Sequence, residues 1–466
     1  MKTLSRCLFV SLWLFISLIE AAKILVVVPT PAISHQAVYR LYTQELVKRG
    51  HEVTVVTTDP LFQKGKTPKN LTEIDVHDVS YEMMRMFYVA TAGQNEDVFS
   101  QIDMFWTCFA YLFHEQLKVD EFRKLIEDKD QKFDLLVVEP VVRSSISLKH
   151  IYKVPVIQFS SFGATRELWN IVGAVTHPLL YPTYFQNALY NLTVFEKMKQ
   201  VYKHYRHHHL IRSKEVIENS LMKEYFGPEI STMTELQNDV DLLFLNIHHI
   251  WDDNRPVPPN VIYLGSMQVR DQKELPKDLK NFLDSSKHGV IYISFGSIAK
   301  PSLLPPEKIQ TINKVFSRLP YDILWKYDLD ELPGKSKNVK LVKWVPQSDM
   351  LKHPKLKLFI TQGGLQSTDE AIHAGVPLIG MPIIVDQWYN TEKYVKHGIG
   401  MQIELETFTE KQLFDGINEI INNDRYPRNV LKLRDIYNDH PQTSLERAIW
   451  WTEGFRDSIE EVESCE

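Results

Sequence analysis

Residues 361–387 read TQGGLQSTDEAIHAGVPLIGMPIIVDQ, and both ends of this stretch carry groups that hold polar ligands. Gly363 and Gly364 allow a tight turn and close backbone approach. The residues after them open a helix, whose free N–H groups and positive dipole end suit a phosphate. Ser367 sits in that first turn and adds a hydroxyl donor. At the far end, Asp386 and Gln387 follow an apolar strand and offer acceptors and donors matched to sugar hydroxyls. The glycine spacing is neither G-x-G-x-x-G nor G-x-x-x-x-G-K-[ST], so dehydrogenase and ATPase readings lose their main support. Gly-Gly alone is equally an ordinary strand-to-helix turn. Its coupling to the Asp-Gln pair is what suggests a ligand that is part phosphate and part sugar.

Such a stretch needs parallel strands to hold it, and the chain supplies them in two series. The first opens with KILVVVP (23–29), a buried-strand run. A proline-punctuated loop and a helical pattern follow, with Val38, Leu41 and Leu46 on one face, and then the strand EVTVVTT. That is a βαβ unit. FDLLVVEP (133–140) and VPVIQFS (154–160) read as further strands, and 80–120 and 160–235 as aromatic-rich, mostly helical stretches. The rhythm restarts near 289 with GVIYISFGS, YDILWKY, VKLVKWVP and KLKLFIT. Between the series, the Pro- and charge-rich segment 254–280 reads as a linker. Two α/β domains imply a cleft between the carboxyl ends of two sheets, where ligands bind.

Composition fits this reading. The chain has 466 residues, 44% of them hydrophobic, enough for two domains with real cores. The net charge of -6 and the lack of any basic run exclude nucleic acid as an expected partner. Residues 1–22, with Lys2 and Arg6 before the apolar run Cys7–Ile19 and small residues at Ala21 and Ala22, have the layout of a secretory signal peptide. Entry into that pathway makes Asn70 and Asn191, each heading an Asn-x-Thr sequon, glycan acceptors. Beyond the leader only Cys108 and Cys465 remain, which is neither a disulfide framework nor a zinc site. The run KHYRHHHL (203–210) reads as a solvated helical patch, since adjacent histidines do not share a helix face. No later segment is apolar for long enough to span a bilayer.

The order of short motifs is specific. FITQGGLQSTDE, followed by PLIGMP and DQ, resembles the signature of UDP-glycosyltransferases, with KWVPQSDMLKHP (343–354) in place ahead of it. SFGS (294–297), NRPVPPNVIYLG (254–265) and VPTPAISHQ (28–36) fit in sequence, so the resemblance covers essentially the whole chain after the leader. It is strongest to insect members and to baculovirus ecdysteroid UDP-glucosyltransferases. It implies an α/β GT-B fold of two Rossmann-like domains: an acceptor-binding domain at 23–262, a linker at 263–280, a UDP-sugar domain at 281–438, and a final helix packing back over the first domain within 439–466, before an acidic tail.

By the same resemblance, Trp344 stacks on uracil and Gln347 lies beside base and ribose. Glu370 accepts from the ribose, and Ser297, Ser367 and the turn at Gly364 hold the diphosphate. Asp386 and Gln387 fix the transferred sugar. His35 is the expected base and Glu139 its carboxylate partner, where many members have aspartate. Gln362 replaces a histidine common in the family and is read as a neutral donor. The implied reaction is inverting, metal-independent transfer of a hexose, glucose by kinship, from UDP-sugar to a small lipophilic acceptor: a plant compound, xenobiotic or ecdysteroid. No cofactor is implied beyond the UDP-glucose donor. Expected location is the secretory pathway, in the ER lumen or secreted; where membrane-bound relatives continue into an anchor this sequence turns acidic, which reads as either a secreted form or a truncated product. A soluble, non-catalytic form that binds lipophile or nucleotide sugar, or dimerises with itself or with full-length relatives, is the competing reading.

Overall fold

The computed structural model describes residues 21–91, 98–186, 188–297 and 299–463; most of the expected signal peptide, and Cys465, lie outside them. The first sheet contains β1 (Lys23–Val28), β2 (Glu52–Thr57), β3 (Leu71–Asp75), β4 (Leu135–Val138), β5 (Val156–Ser160), β6 (Leu242–Leu245) and β7 (Val261–Tyr263). The second contains β8 (Val290–Ser294), β9 (Asp322–Lys326), β10 (Val339–Val342), β11 (Leu356–Thr361), β12 (Leu378–Gly380) and β13 (Gly400–Gln402). Every strand pair in them is parallel. Central strands such as β1, β4 and β8 are almost wholly buried, because helices cover both faces, and they read as unbroken apolar runs for that reason.

The two sheets share one topology. Their orders are β3-β2-β1-β4-β5-β6-β7 and β10-β9-β8-β11-β12-β13, so each winds outward in one direction, returns to the middle and winds the other way. The order therefore reverses between β1 and β4 in one sheet and between β8 and β11 in the other. Chains leaving those neighbouring strands diverge and leave a crevice.

Three details differ from the sequence reading. Ala22 is already part of the fold: it is buried, its N–H donates to His51 Nδ1 at 3.1 Å, and its carbonyl accepts from Glu52. Segment 254–280 is only partly a linker, since Val261–Tyr263 pairs with β6 as an edge strand and Lys277 starts a helix. The histidine run lies on the helix Val194–Phe226, but His204 and His207 are buried and burial pushes both down to about 4; His208 pairs with Glu167 at 3.1 Å. Residues 204, 207, 211, 218 and 222 form the buried face of this helix, a spacing that single-residue inspection of the run does not reveal.

The final helix, Ser444–Glu463, lies on the first domain. Ala448 and Ile449 join the core of Val26, Tyr42 and Leu46, while Thr452 bonds Tyr42 and Glu453 pairs with Arg49 and His51. A buried polar string also crosses between the domains. Ser161 O accepts from Asn246 and Gln366; Asn246 donates to Gln268, which donates to Asp369 at 3.2 Å. Burial pushes the Asp369 carboxyl up to about 8. An acid raised this far above its unfolded value near 3.9 keeps its proton on folding, so stability is full below pH ~4 and declines as pH climbs toward 8. Asp369→Asn, which cannot ionise, is therefore expected to come within about 1 kcal/mol of the wild type at pH 4.5. At pH 8.5 it should exceed it by on the order of 5 kcal/mol in chemical denaturation.

Candidate active site

His35 and Glu139 sit at the first crevice, and Ser297, Gln362 and Gly364 at the second. His35 is in the first turn of the helix Ile33–Lys48, after β1, and Glu139 follows β4. His35 Nδ1 lies 2.5 Å from Glu139 Oε1, and Glu139 is fully buried, its other oxygen accepting from Thr30 N–H. The neighbour of His35 explains why the ring is aimed outward. Gln36 is buried, donates toward Val28 O, Thr30 O and Thr58 Oγ1, and accepts from Thr57 Oγ1 at 2.7 Å. It pins the helix start to the ends of β1 and β2. The Phe162 ring, 5.6 Å away, flanks the imidazole.

The second crevice carries the glycine turns. Gly363 has φ +92°, and a Cβ there would meet Thr391 Cγ2 at 2.6 Å. Gly296, at the end of β8, has φ +79°, and a Cβ there would lie 2.2 Å from Gln362 Nε2. Glycine at 296 is thus what lets the Gln362 amide reach across between the two loops. Gly364 caps the helix Leu365–Ala374, in whose first turn Ser367 lies.

Two adjoining cavities occupy the cleft. His35, Ser297, Gln362, Gly364, Ser367 and Asp386 line one of about 250 Å³, whose remaining wall is mostly apolar and aromatic, including Met84, Phe105, Trp106, Phe109 and Phe185. Ser297 and Ser367 are shared with a second cavity of about 650 Å³, lined also by Trp344, Gln347 and Glu370. Gln347 donates to Ser367 Oγ at 2.9 Å and to Glu370 Oε2 at 2.8 Å, and accepts from Tyr292. Trp344 is 64% exposed, a free indole face at the cavity edge. An apolar chamber, a polar chamber with an aromatic platform, and a histidine–carboxylate pair beside their shared wall suit group transfer between two unlike ligands.

Comparison with known proteins agrees. The sequence model described as UDP-glucoronosyl and UDP-glucosyl transferase matches residues 22–455. The chain belongs to that family. It is 34% identical over 454 residues to an ecdysteroid UDP-glucosyltransferase of Spodoptera littoralis nuclear polyhedrosis virus, covering 93% of this chain and 87% of the relative. UDP-glucosyltransferase 2 of Dactylopius coccus is 28% identical, with 93% and 84% covered. Among solved structures, a UDP-glucosyltransferase from Polygonum tinctorium that glucosylates indoxyl superposes with a TM-score of 0.63 at 16% identity, over 94% of this chain and 99% of that one. Os79 from O. sativa, solved with UDP, gives 0.61 at 16%, with 93% and 100% covered. These two show the fold, which is GT-B.

As a UDP-glycosyltransferase the chain takes its sugar from a UDP-sugar. Burial pushes Glu370 up to about 7 and Asp386 up to about 6. Gln387 is buried, and its Oε1 accepts from the N–H groups of Ile383 and Ile384. It braces the loop that presents Asp386. In that loop Val385 has φ +50°, a conformation a β-branched residue adopts only under constraint.

Sequence reasoning also passed over Lys326, whose Nζ donates to Gly296 O at 2.8 Å and lies 4.6 Å from the Trp344 ring centroid. Burial lowers its pKa. Arg40 and Arg270 join it around the second cavity. The signal for these three was lining position, which no local motif carries. Elsewhere His248, His249 and His440 lie close enough to share an ion. The first two rings lie face to face, 4.2 Å apart and 31° from parallel, and His248 meets His440 nitrogen to nitrogen at 3.1 Å. The His440 ring is tilted from the other two, by 48° and 71°, and His248 Nδ1 already accepts from Ile250 N–H, so a hydrogen on His248 Nε2 bridges to His440.

Gly296→Ala tests the loop contact. The left-handed backbone costs about 1–2 kcal/mol for an L side chain, and the added methyl displaces the Gln362 amide. The expected result is a KM for UDP-sugar raised about tenfold, equivalent to ~1.4 kcal/mol, measured by initial rates; an unchanged KM would mean that Gln362 does not serve the donor.

Proposed function

We propose that this UDP-glycosyltransferase moves glucose from UDP-glucose to a hydroxyl of a small lipophilic acceptor, inverting the anomeric carbon without a metal ion. The observation that carries the reading is the His35–Glu139 pair beside the apolar chamber. A buried carboxylate is an acceptor only, so it selects the tautomer with hydrogen on Nδ1 and leaves the Nε2 lone pair for the acceptor hydroxyl. As that oxygen bonds to C1, its proton passes to His35, and Glu139 stabilises the imidazolium. The bond from C1 to the diphosphate oxygen breaks with its electron pair leaving on UDP. Glu139 is fully buried behind His35, out of reach as a nucleophile, which favours single displacement and hence inversion.

The developing charge on UDP is met by the helix start at Gly364, the hydroxyls of Ser297 and Ser367, and the Gln362 amide, donors already fixed before reaction. Trp344 offers the uracil a stacking face, Gln347 contacts base and ribose, and Glu370 accepts from ribose hydroxyls. Asp386 accepts from the transferred sugar, with Gln387 holding its loop. The aromatic chamber wall supports a plant compound, xenobiotic or ecdysteroid as acceptor, in detoxification or hormone inactivation. Placement in the secretory pathway rests on the leader and on Asn70 and Asn191, both exposed at left-handed turn positions; no helix among the described residues is long and apolar enough to cross a membrane.

Radiolabelled UDP-glucose, offered with a panel of phenols and ecdysteroids, tests the proposal. Wild type should transfer label. His35→Ala should lose about 10²–10⁴-fold in kcat, and full turnover in that variant would remove His35 as base. Gln362→His should retain both donor binding and transfer, since it keeps a donor at the same loop; collapse of both would show that the turn has another role.

A further inference from the structure

Asn390 lines neither cavity and is 1% exposed, yet it joins the two ends of the 361–387 stretch. Its Nδ2 donates to Gly363 O and to Asp386 Oδ2, each at 2.8 Å, and its Oδ1 accepts the indole N–H of Trp251 at 2.9 Å. An indole N–H only donates, so Oδ1 must face Trp251 and the NH₂ must face the turn and the carboxylate. The amide has no second orientation that keeps all three bonds. Trp251 belongs to the other domain, in the turn after β6, and is fully buried. Its carbonyl accepts from Tyr389 OH at 3.2 Å, and its ring stacks on His397 at 5.5 Å and 18°. The first domain thus grips the helix Gln387–His397 at the point where Asn390 leaves it.

We infer that Asn390 is a positioning residue for the donor: it holds the Asp386 carboxylate against the Gly363 turn, and Trp251 of the acceptor domain sets the orientation in which it does so. The inference rests on the proposed role of Asp386 toward the sugar. Asp386 accepts sugar hydroxyls only when ionised. Burial raises its pKa, and donation from Asn390 is the largest of the effects opposing that rise. Of the titratable groups facing it, His35 across the cleft also favours the carboxylate, while Tyr184 and Tyr394 are neutral phenols. Without Asn390 the carboxyl should protonate at higher pH, so binding of the sugar part should fail earlier as pH drops.

Titration calorimetry of the full chain with UDP and with UDP-glucose, between pH 5.5 and 8.5, reads this directly. Asn390→Leu should bind UDP within about threefold of wild type while its UDP-glucose affinity falls about tenfold, the worth of one charge-assisted hydrogen bond. The pH midpoint of the UDP-glucose advantage should move up. Asn390→Asp, which sets a second carboxylate beside Asp386, should move it further, and Trp251→Phe, which keeps the ring but loses the N–H, should fall between wild type and Asn390→Leu. Equal weakening of UDP and UDP-glucose in all three variants, or an unmoved midpoint, would overturn the inference. If wild type binds neither nucleotide, the proposed function itself falls and takes this with it. If wild type binds and transfers while Asn390→Leu matches it at every pH, only the positioning role falls.

Discussion

Everything at this site depends on two sheets whose strand order reverses in the middle. A parallel sheet wound both ways cannot avoid a crevice beside its central strands. Here β1 and β4 form one such crevice and β8 and β11 the other. The loops leaving those four strands bring in, respectively, His35, Glu139, the Gly296-Ser297 turn and the Gln362-Gly363-Gly364 turn. Neither crevice is a transferase alone. On the proposed mechanism one holds the base and the other the turns that meet the donor. The chemistry exists only where the two face each other.

What keeps them facing is polar as well as apolar. One apolar cluster includes Trp169 and Trp251 of the first domain with Tyr389 and Tyr394 of the second. Beside it run the string from Ser161 to Asp369 and the buried pair of Asp253 with Lys393 at 2.8 Å. Buried ion pairs add little net stability because desolvation offsets attraction, but losing one partner is costly. These contacts therefore act on register more than on total stability: a sliding of the domains leaves unpaired polar groups in low dielectric. The final helix adds a strap from the second domain back onto β1 and its helix.

Much of this was legible in the sequence, and for definite reasons. Continuous apolar runs such as KILVVV mark strands covered on both faces, and positive-φ glycines after such runs mark ligand turns. Gln362, Ser367, Glu370 and Asp386 lie within one contiguous stretch, so spacing alone groups them. What was not legible depends on partners distant in sequence. Gln36, Trp251 and Asn390 act by reaching groups that the fold brings near. The bonds from the N–H groups of Ile383 and Ile384 to the Gln387 side-chain carbonyl were likewise set by the loop's fold and not by any local motif. The histidine run looked solvated because adjacent residues were weighed together, whereas its burial follows the helical period. Gly163 makes the same point: a Cβ there would fall 1.3 Å from Tyr184 OH, a constraint no local pattern announces.

The neutral Gln362 then becomes intelligible through charge instead of motif. A diphosphate leaving group needs positive potential nearby, and a glutamine amide contributes only a dipole. In this chain the full charges around the polar chamber come from elsewhere: Arg40 on the first-domain helix, Arg270 on the connecting segment and Lys326 at the end of β9. Lys326 is tied to Gly296 O, the carbonyl of the same turn whose missing side chain makes room for Gln362. Two of these cations lie outside the second sheet's domain. Their potential at the diphosphate depends on the domains being in register, since an interaction between charges weakens with distance and more steeply with solvent. A histidine at 362 would carry its charge within the donor domain, whereas glutamine leaves that charge to be supplied partly across the cleft. On the proposed mechanism, leaving-group stabilisation then depends on the same domain register that sets His35 beside the donor.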